Sequence, residues 1–127
     1  MIRVLIPADS EFKKYDKELK SLYQENQEKI CDTNSYEFVR DNTLFYAFLD
    51  DKNLFGAIYY FLDDGKLFLN AFSKRKYFMQ NIQALSLSIT WFTCDIYAEA
   101  QNKASAFTLL RCGFKRVNGK LFKYERV

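Results

Sequence analysis

Histidine does not occur among the 127 residues. Without an imidazole the chain has no Ser-His-Asp or Cys-His nucleophile system, no histidine general base and no histidine zinc ligand. Cysteine is scarce. Cys31, Cys94 and Cys112 are odd in number, far apart, and form no C-x-x-C pair. That spacing supports neither a zinc knuckle nor a disulfide framework, so no metal site is expected. Cys94 and Cys112 lie in apolar stretches and are expected to be small buried thiols. One proline and four glycines leave little room for long irregular segments. No apolar run approaches the roughly 20 residues of a membrane span. The start, "MIRVLIPADSEF", has too short an apolar run for a secretory signal. These absences lead to the expectation of a soluble cytoplasmic protein with no membrane partner.

What is present is a large supply of core material. Hydrophobic residues make up 49% and aromatic residues 18% of the chain, with 13 Phe and 9 Tyr. The length fits a single domain over residues 1–127. The formal net charge of +3 is mild and does not mark a nucleic-acid binder, whose basic residues are more numerous and more clustered.

Periodicity gives the order of elements. Ile2–Ile6 is a short apolar run ending at Pro7 and is predicted to be a strand. Asp9 and Ser10 are candidate caps for a helix whose Phe12, Tyr15, Leu19, Leu22 and Tyr23 recur at helical spacing. A second, short helix is placed near Ser35–Asp41. Three aromatic-rich runs follow, Leu44–Leu49, Leu54–Leu62 and Leu67–Phe72. Turn residues separate them, so they are predicted to form an antiparallel meander. Phe78, Ile82, Leu85, Ile89 and Phe92 then mark one apolar face of a helix. Cys94–Ala98 is predicted to be a strand.

Asn102 opens a further helix with Gly113 as its left-handed stop, and Ala106, Leu109 and Leu110 are expected on its buried side. "FKRV", Asn118-Gly119 and "KLFKYE" suggest a closing hairpin on a type I′ turn. The order β-α-α-β-β-β-α-β-α-β-β implies an α+β domain with one mixed sheet. The helix between the fourth and fifth strands makes Cys94–Ala98 a candidate parallel neighbour of Leu67–Phe72, splayed from it at one end.

Asn102, Ser105, Ala106, Gly113 and Phe114, taken with that order, resemble the GCN5-related N-acetyltransferase (GNAT) family. In that family an asparagine after strand five opens a helix that ends in Gly-Phe eleven residues on. The segments "ALSLSITWF" and "RCGFKRVNGKL" look most similar to a divergent group of this fold found among bacteriophage proteins. The resemblance implies a GNAT-like acyl-CoA N-acyltransferase fold. It also implies acetyl-CoA or CoA as cofactor and a small-molecule or protein amine as acceptor.

It further implies that the cofactor pyrophosphate meets the turn after strand four and the start of the next helix. Here that turn runs through Lys74, Arg75, Lys76, Tyr77, Phe78, Met79 and Gln80, with no glycine. With Lys74 in the leading basic position, the family's glycine positions hold Tyr77 and Met79, whose side chains are expected to crowd a phosphate. Three cations supply charge in their place, and Asn102 completes the implied cofactor set. "KRKYF" also mixes bases with aromatics as nucleic-acid sites do, but one such loop is common on surfaces.

Many members of the family place a tyrosine seven residues after the asparagine as the acid for the departing thiolate. Leu109 stands there, and Thr108 and Leu110 beside it are no substitutes by pKa. Of the polar residues on strands four and five, Asn70 cannot take a proton at neutral pH. Glu99 is the leading candidate base and Asp95 the second. Tyr97 and Tyr124 are candidate acids, Tyr97 the one retained. The alternative to transfer is a non-catalytic protein of this fold with a degenerate CoA site. Such a protein would bind a protein partner or a second copy of itself through an aromatic surface.

Overall fold

A computed structural model of the chain describes residues 1–126. Seven strands form one sheet: β1 (Ile2–Leu5), β2 (Leu44–Asp50), β3 (Asn53–Asp63), β4 (Lys66–Ser73), β5 (Ile96–Glu99), β6 (Lys115–Asn118) and β7 (Leu121–Tyr124). Their order across the sheet is β1-β2-β3-β4-β5-β7-β6. Every neighbouring pair is antiparallel except β4 and β5. Four helices cover the sheet: α1 (Asp16–Ile30), α2 (Tyr36–Asn42), α3 (Phe78–Ile89) and α4 (Lys103–Arg111). The mixed α+β architecture and the order read from the sequence are those of the structure. No helix is long and apolar enough to cross a membrane among the described residues.

Side chains alternate across the strands and divide the core in two. Tyr59, Phe45, Ala57 and Phe72 face α1 and α2, where Leu19, Leu22, Tyr23, Tyr36 and Val39 meet them. Tyr60, Ile58, Leu69 and Ala98 face α3 and α4, against Leu85, Ile89 and Leu109. Leu54 to Tyr60 are therefore buried without a break, as in a strand covered on both faces. Burying each such side chain contributes about 1.5–3 kcal/mol.

The turns are set by local chemistry. Asp64 and Gly65 both have positive φ (52° and 73°), the geometry of a type I′ hairpin. Ser35 caps α2, its Oγ accepting from the Phe38 N–H at 3.1 Å. α4 starts from Asn102, whose Oδ1 accepts from the Ser105 N–H at 2.8 Å. It ends as a Schellman motif: Phe114 N–H donates to Leu109 O at 3.0 Å, Gly113 N–H donates to Leu110 O at 3.1 Å, and Gly113 has φ 94°. β3 lies so close to β4 that a Cβ on Gly56 would fall 2.7 Å from the Phe72 carbonyl oxygen.

Several sequence expectations are corrected. The segment after Asp9 begins as a 3₁₀ turn, Ser10–Lys14, before α1. The Asp9 carboxylate folds back to accept from the Ile6 N–H at 2.8 Å and does not cap the helix. α3 stops at Ile89, so Phe92 lies beyond it and packs on Tyr60 with ring centroids 4.3 Å apart. Phe78 is 40% exposed at the head of α3, stacked on Phe107. Leu110 is 53% exposed because Leu109, one residue and 100° away, takes the inward position. β5 starts only at Ile96, which leaves Cys94 exposed in the preceding loop; Cys112 is half-buried. Asn118 lacks positive φ and is the last residue of β6. The hairpin turns on Gly119 (φ 45°) after a register shift between Arg116 and Asn118. That Gly-first pattern belongs to type II′ rather than I′.

Leu85 is 5% exposed at the contact of α3 with the sheet. Leu85→Ala is expected to lower the unfolding free energy in urea titration by about 2–5 kcal/mol. A loss under about 0.5 kcal/mol would show that the α3 face is misassigned.

Candidate active site

β5 pairs with β7 along all four of its residues, from Ile96↔Tyr124 to Glu99↔Leu121. It pairs with β4 only at Leu67↔Ile96 and Phe68↔Tyr97. Beyond Phe68 the two parallel strands diverge, and Leu69–Ser73 loses its partner on that side. The Lys74 N–H donates to Phe55 O at 2.8 Å, so by alternation the even-numbered amides of β4 face β3 and the odd-numbered ones face the gap. The Ala71 N–H is one of these, and the Asn70 side chain takes it through Oδ1 at 3.0 Å. Asn70 Nδ2 in turn donates to Ile30 O at 3.2 Å, tying β4 to the end of α1.

The gap opens into a cavity of about 230 Å³. Leu69, Ala71, Ala98, Leu85, Leu109 and Ala104 give it a largely apolar wall; Asn70, Ser73, Asn81, Glu99, Ser105 and Thr108 supply polar groups, and Lys29 and Arg75 supply cations. Ser73 Oγ accepts from Asn81 Nδ2 at 2.9 Å, which joins the end of β4 to α3. Thr108 Oγ1 donates to Ala104 O at 3.0 Å, within α4.

The sequence-derived site residues divide between this cavity and its surroundings. Glu99 lines it as the last residue of β5, with an exposed side chain. Arg75 and Phe78 also line it. Tyr97 does not: its ring packs 5.6 Å from that of Phe68, with the Lys66 and Lys123 ammonium groups 5.3 and 5.6 Å from its centroid. Asp95 also lies outside, accepting from the Arg126 N–H at 2.7 Å with Lys123 Nζ at 3.4 Å. That backbone bond, helped by Lys123, holds its pKa below the ordinary carboxylate value, the wrong direction for a base. Tyr124 packs on Phe114 beneath Arg126.

The turn before α3 is wound as a 3₁₀ segment, Arg75–Tyr77. Its Tyr77 N–H is consumed by Lys74 O at 3.2 Å. Lys74 Nζ is paired with Glu18 of α1, and Lys76 Nζ stands 5.4 Å from the Tyr77 ring centroid. Tyr77 and Met79 are the two residues expected from the sequence to crowd a phosphate. The Tyr77 ring is turned onto Phe55 (centroids 5.6 Å apart), Met79 is exposed, and neither lines the cavity. Gln80 Nε2 donates to Asp50 Oδ2 at 3.3 Å, away from the cavity. No side chain caps α3 among the described residues, and Phe78 and Asn81 of its first turn line the cavity at the helix's positive dipole end. Asn102 serves as the α4 cap.

No family model matches the sequence, and no curated protein does. Solved structures do. An N-acetyltransferase from Staphylococcus aureus Mu50 superposes with a TM-score of 0.69 at 11% identity, covering 98% of this chain and 97% of that one. The fold is that of the N-acetyltransferases. A ribosomal-protein-S5-alanine acetyltransferase from Vibrio fischeri gives a TM-score of 0.66 at 13% identity over 96% of this chain and 90% of its own. PaiA N-acetyltransferase from Thermoplasma acidophilum, solved in complex with coenzyme A, gives 0.57 at 13% identity over 98% and 99%.

Lys29, Ser73 and Asn81 were not singled out from the sequence. Lys29 comes from α1, some 40 residues before β4, and a lysine in a helix's last turn is equally well explained by the helix dipole. Ser73 and Asn81 carried no signal beyond their place in the turn.

If Asn102 acts as the α4 cap, Asn102→Ala lowers stability by about 1 kcal/mol and Asn102→Asp restores it, as read by thermal unfolding. An unchanged midpoint in the alanine variant would contradict that role.

Proposed function

We propose that the chain transfers an acetyl group from acetyl-CoA to an amine by direct attack on the thioester. The observation that supports this most is the cavity opened by the divergence of β4 and β5, with a carboxylate, Glu99, on its wall. A thin, mostly apolar slot beside an unpaired strand edge suits a pantetheine arm, whose amides can bond to the strand as β5 would. The first-turn amides of α3, with Arg75 beside them, suit the pyrophosphate. The glycine-free turn fits less closely, since its 3₁₀ winding has used the Tyr77 amide.

In this reading Glu99 takes the proton of the incoming ammonium, directly or through a water. The amine nitrogen attacks the carbonyl carbon and a C–N bond forms; that nitrogen releases its second proton to solvent, the C–S bond breaks, and the sulfur leaves as thiolate. No enzyme nucleophile is required, which suits a chain without histidine. The thiolate draws its proton from solvent, because Leu109 fills the place of a phenolic acid and is 5% exposed. Leu109 is also what favours the second reading, a binding protein that keeps this fold without catalysis.

Acetyl-CoA is expected to bind in calorimetry, and acetylation of a panel of primary amines, read by mass spectrometry, is expected above the uncatalysed rate. Glu99→Gln should lower that rate by about 10²-fold or more while leaving acetyl-CoA affinity unchanged. Binding without turnover on any amine would favour the second reading. Absence of binding would remove both uses of CoA.

A further inference from the structure

Among the described residues, one lysine and one carboxylate line the cavity between β4 and β5: Lys29 and Glu99. They arrive from different elements. Glu99 ends β5, and Lys29 stands in the last turn of α1. The other cation on the wall is Arg75, whose guanidinium does not give up a proton and so cannot act as a nitrogen nucleophile. A primary amine and a carboxylate that can take its proton are what acyl transfer to nitrogen requires on its acceptor side.

The end of α1 is fixed at the gap. Asn70 Nδ2 donates to Ile30 O at 3.2 Å, so the residue next to Lys29 is tied to β4. Cys31 then closes the helix in the left-handed region, at φ 51°, its N–H donating to Glu28 O at 3.3 Å. The Lys29 ammonium is left unengaged. It forms no ion pair among the described residues, although Glu25 lies one turn before it. Its side chain is exposed and rides on a flexible four-carbon stem. α3 and α4 pack on one face of the sheet and α1 packs on the other. A donor whose pyrophosphate lies at α3 therefore meets Lys29 from the opposite side.

We propose that Lys29 is itself an acceptor, so that the chain acetylates its own Nζ. This rests on the acetyl-transfer reading. Glu99 takes one proton from the Lys29 ammonium. The freed nitrogen attacks the thioester carbonyl carbon and a C–N bond forms. That nitrogen releases its second proton to solvent, the C–S bond breaks, and the sulfur leaves as the CoA thiolate. Lys29 becomes a neutral amide, and the cavity loses a cation. An amine held beside a bound thioester reacts at a far higher effective concentration than one free in solution, so Lys29 is modified ahead of the other lysines.

The test is incubation of the whole chain with acetyl-CoA, with the modified lysines mapped by mass spectrometry and acetyl-CoA binding read in parallel by calorimetry. One acetyl group is expected, at Lys29, added about tenfold or more faster than at any other lysine. Its rate should not change with protein concentration, since the step is intramolecular. Glu99→Gln should slow it by about 10²-fold or more. In Lys29→Arg, which offers no amine there, the singly acetylated species should disappear. Acetylation spread evenly over the exposed lysines would overturn the proposal. So would Lys29 acetylation that runs equally fast in Glu99→Gln or in the urea-unfolded chain, since that is chemical acylation alone. If acetyl-CoA binds and added amines are acetylated while Lys29 stays unmodified, the self-acetylation falls and the transfer reading stands. If acetyl-CoA does not bind, both fall.

Discussion

A four-residue strand cannot follow two neighbours that run in different directions. β5 is that strand: it keeps register with β7 over its whole length and with β4 for two residues. Everything in the candidate site depends on this choice. The remaining length of β4 keeps its odd-numbered backbone groups without a strand partner. Unpaired amides inside a protein are costly, and the chain answers with Asn70, whose side-chain oxygen takes the Ala71 N–H. Gly56 lets β3 close against β4 behind the gap.

Most of the architecture was legible because its signals are local. The aromatic runs, the turn residues between them and the Asn102 to Gly113 span each act within a few residues, and the structure carries all of them. The parallel pairing of β4 with β5 followed from a helix lying between them. Errors arose where one feature had two physical explanations. Phe92 continues the α3 pattern on paper but lies past the helix end. Leu110 is apolar but sits on the outer side of α4. Asn-Gly suits two kinds of hairpin, and a register shift in β6 selected the other. Cys94 was expected to be buried because its neighbours are apolar, yet β5 begins two residues later.

The site was legible only in part, for a physical reason. Glu99, Arg75 and Phe78 can be placed from strand and turn positions, and they line the cavity. Lys29 reaches it by tertiary contact from α1, which no local pattern encodes. Tyr97 shares a strand with Glu99 and the same face of it, yet two lysines and Phe68 enclose its ring away from the gap. The turn is a case of substitution of means. In place of a glycine-bearing turn, this chain winds a 3₁₀ segment and turns Tyr77 onto Phe55. Fold likeness at 11–13% identity establishes the frame of the N-acetyltransferases. The chemistry rests on what these side chains do in it.

The central claim is that the gap between β4 and β5 is where the ligand sits. Amide chemical shifts recorded while CoA is titrated into labelled protein test it most directly. The account predicts the largest changes at Leu69–Ser73, at Ala98 and Glu99, and at the first turn of α3. The Ala71 amide should be prominent among them, as it exchanges Asn70 for the ligand. Changes confined to other surfaces, or no change at millimolar CoA, would contradict it.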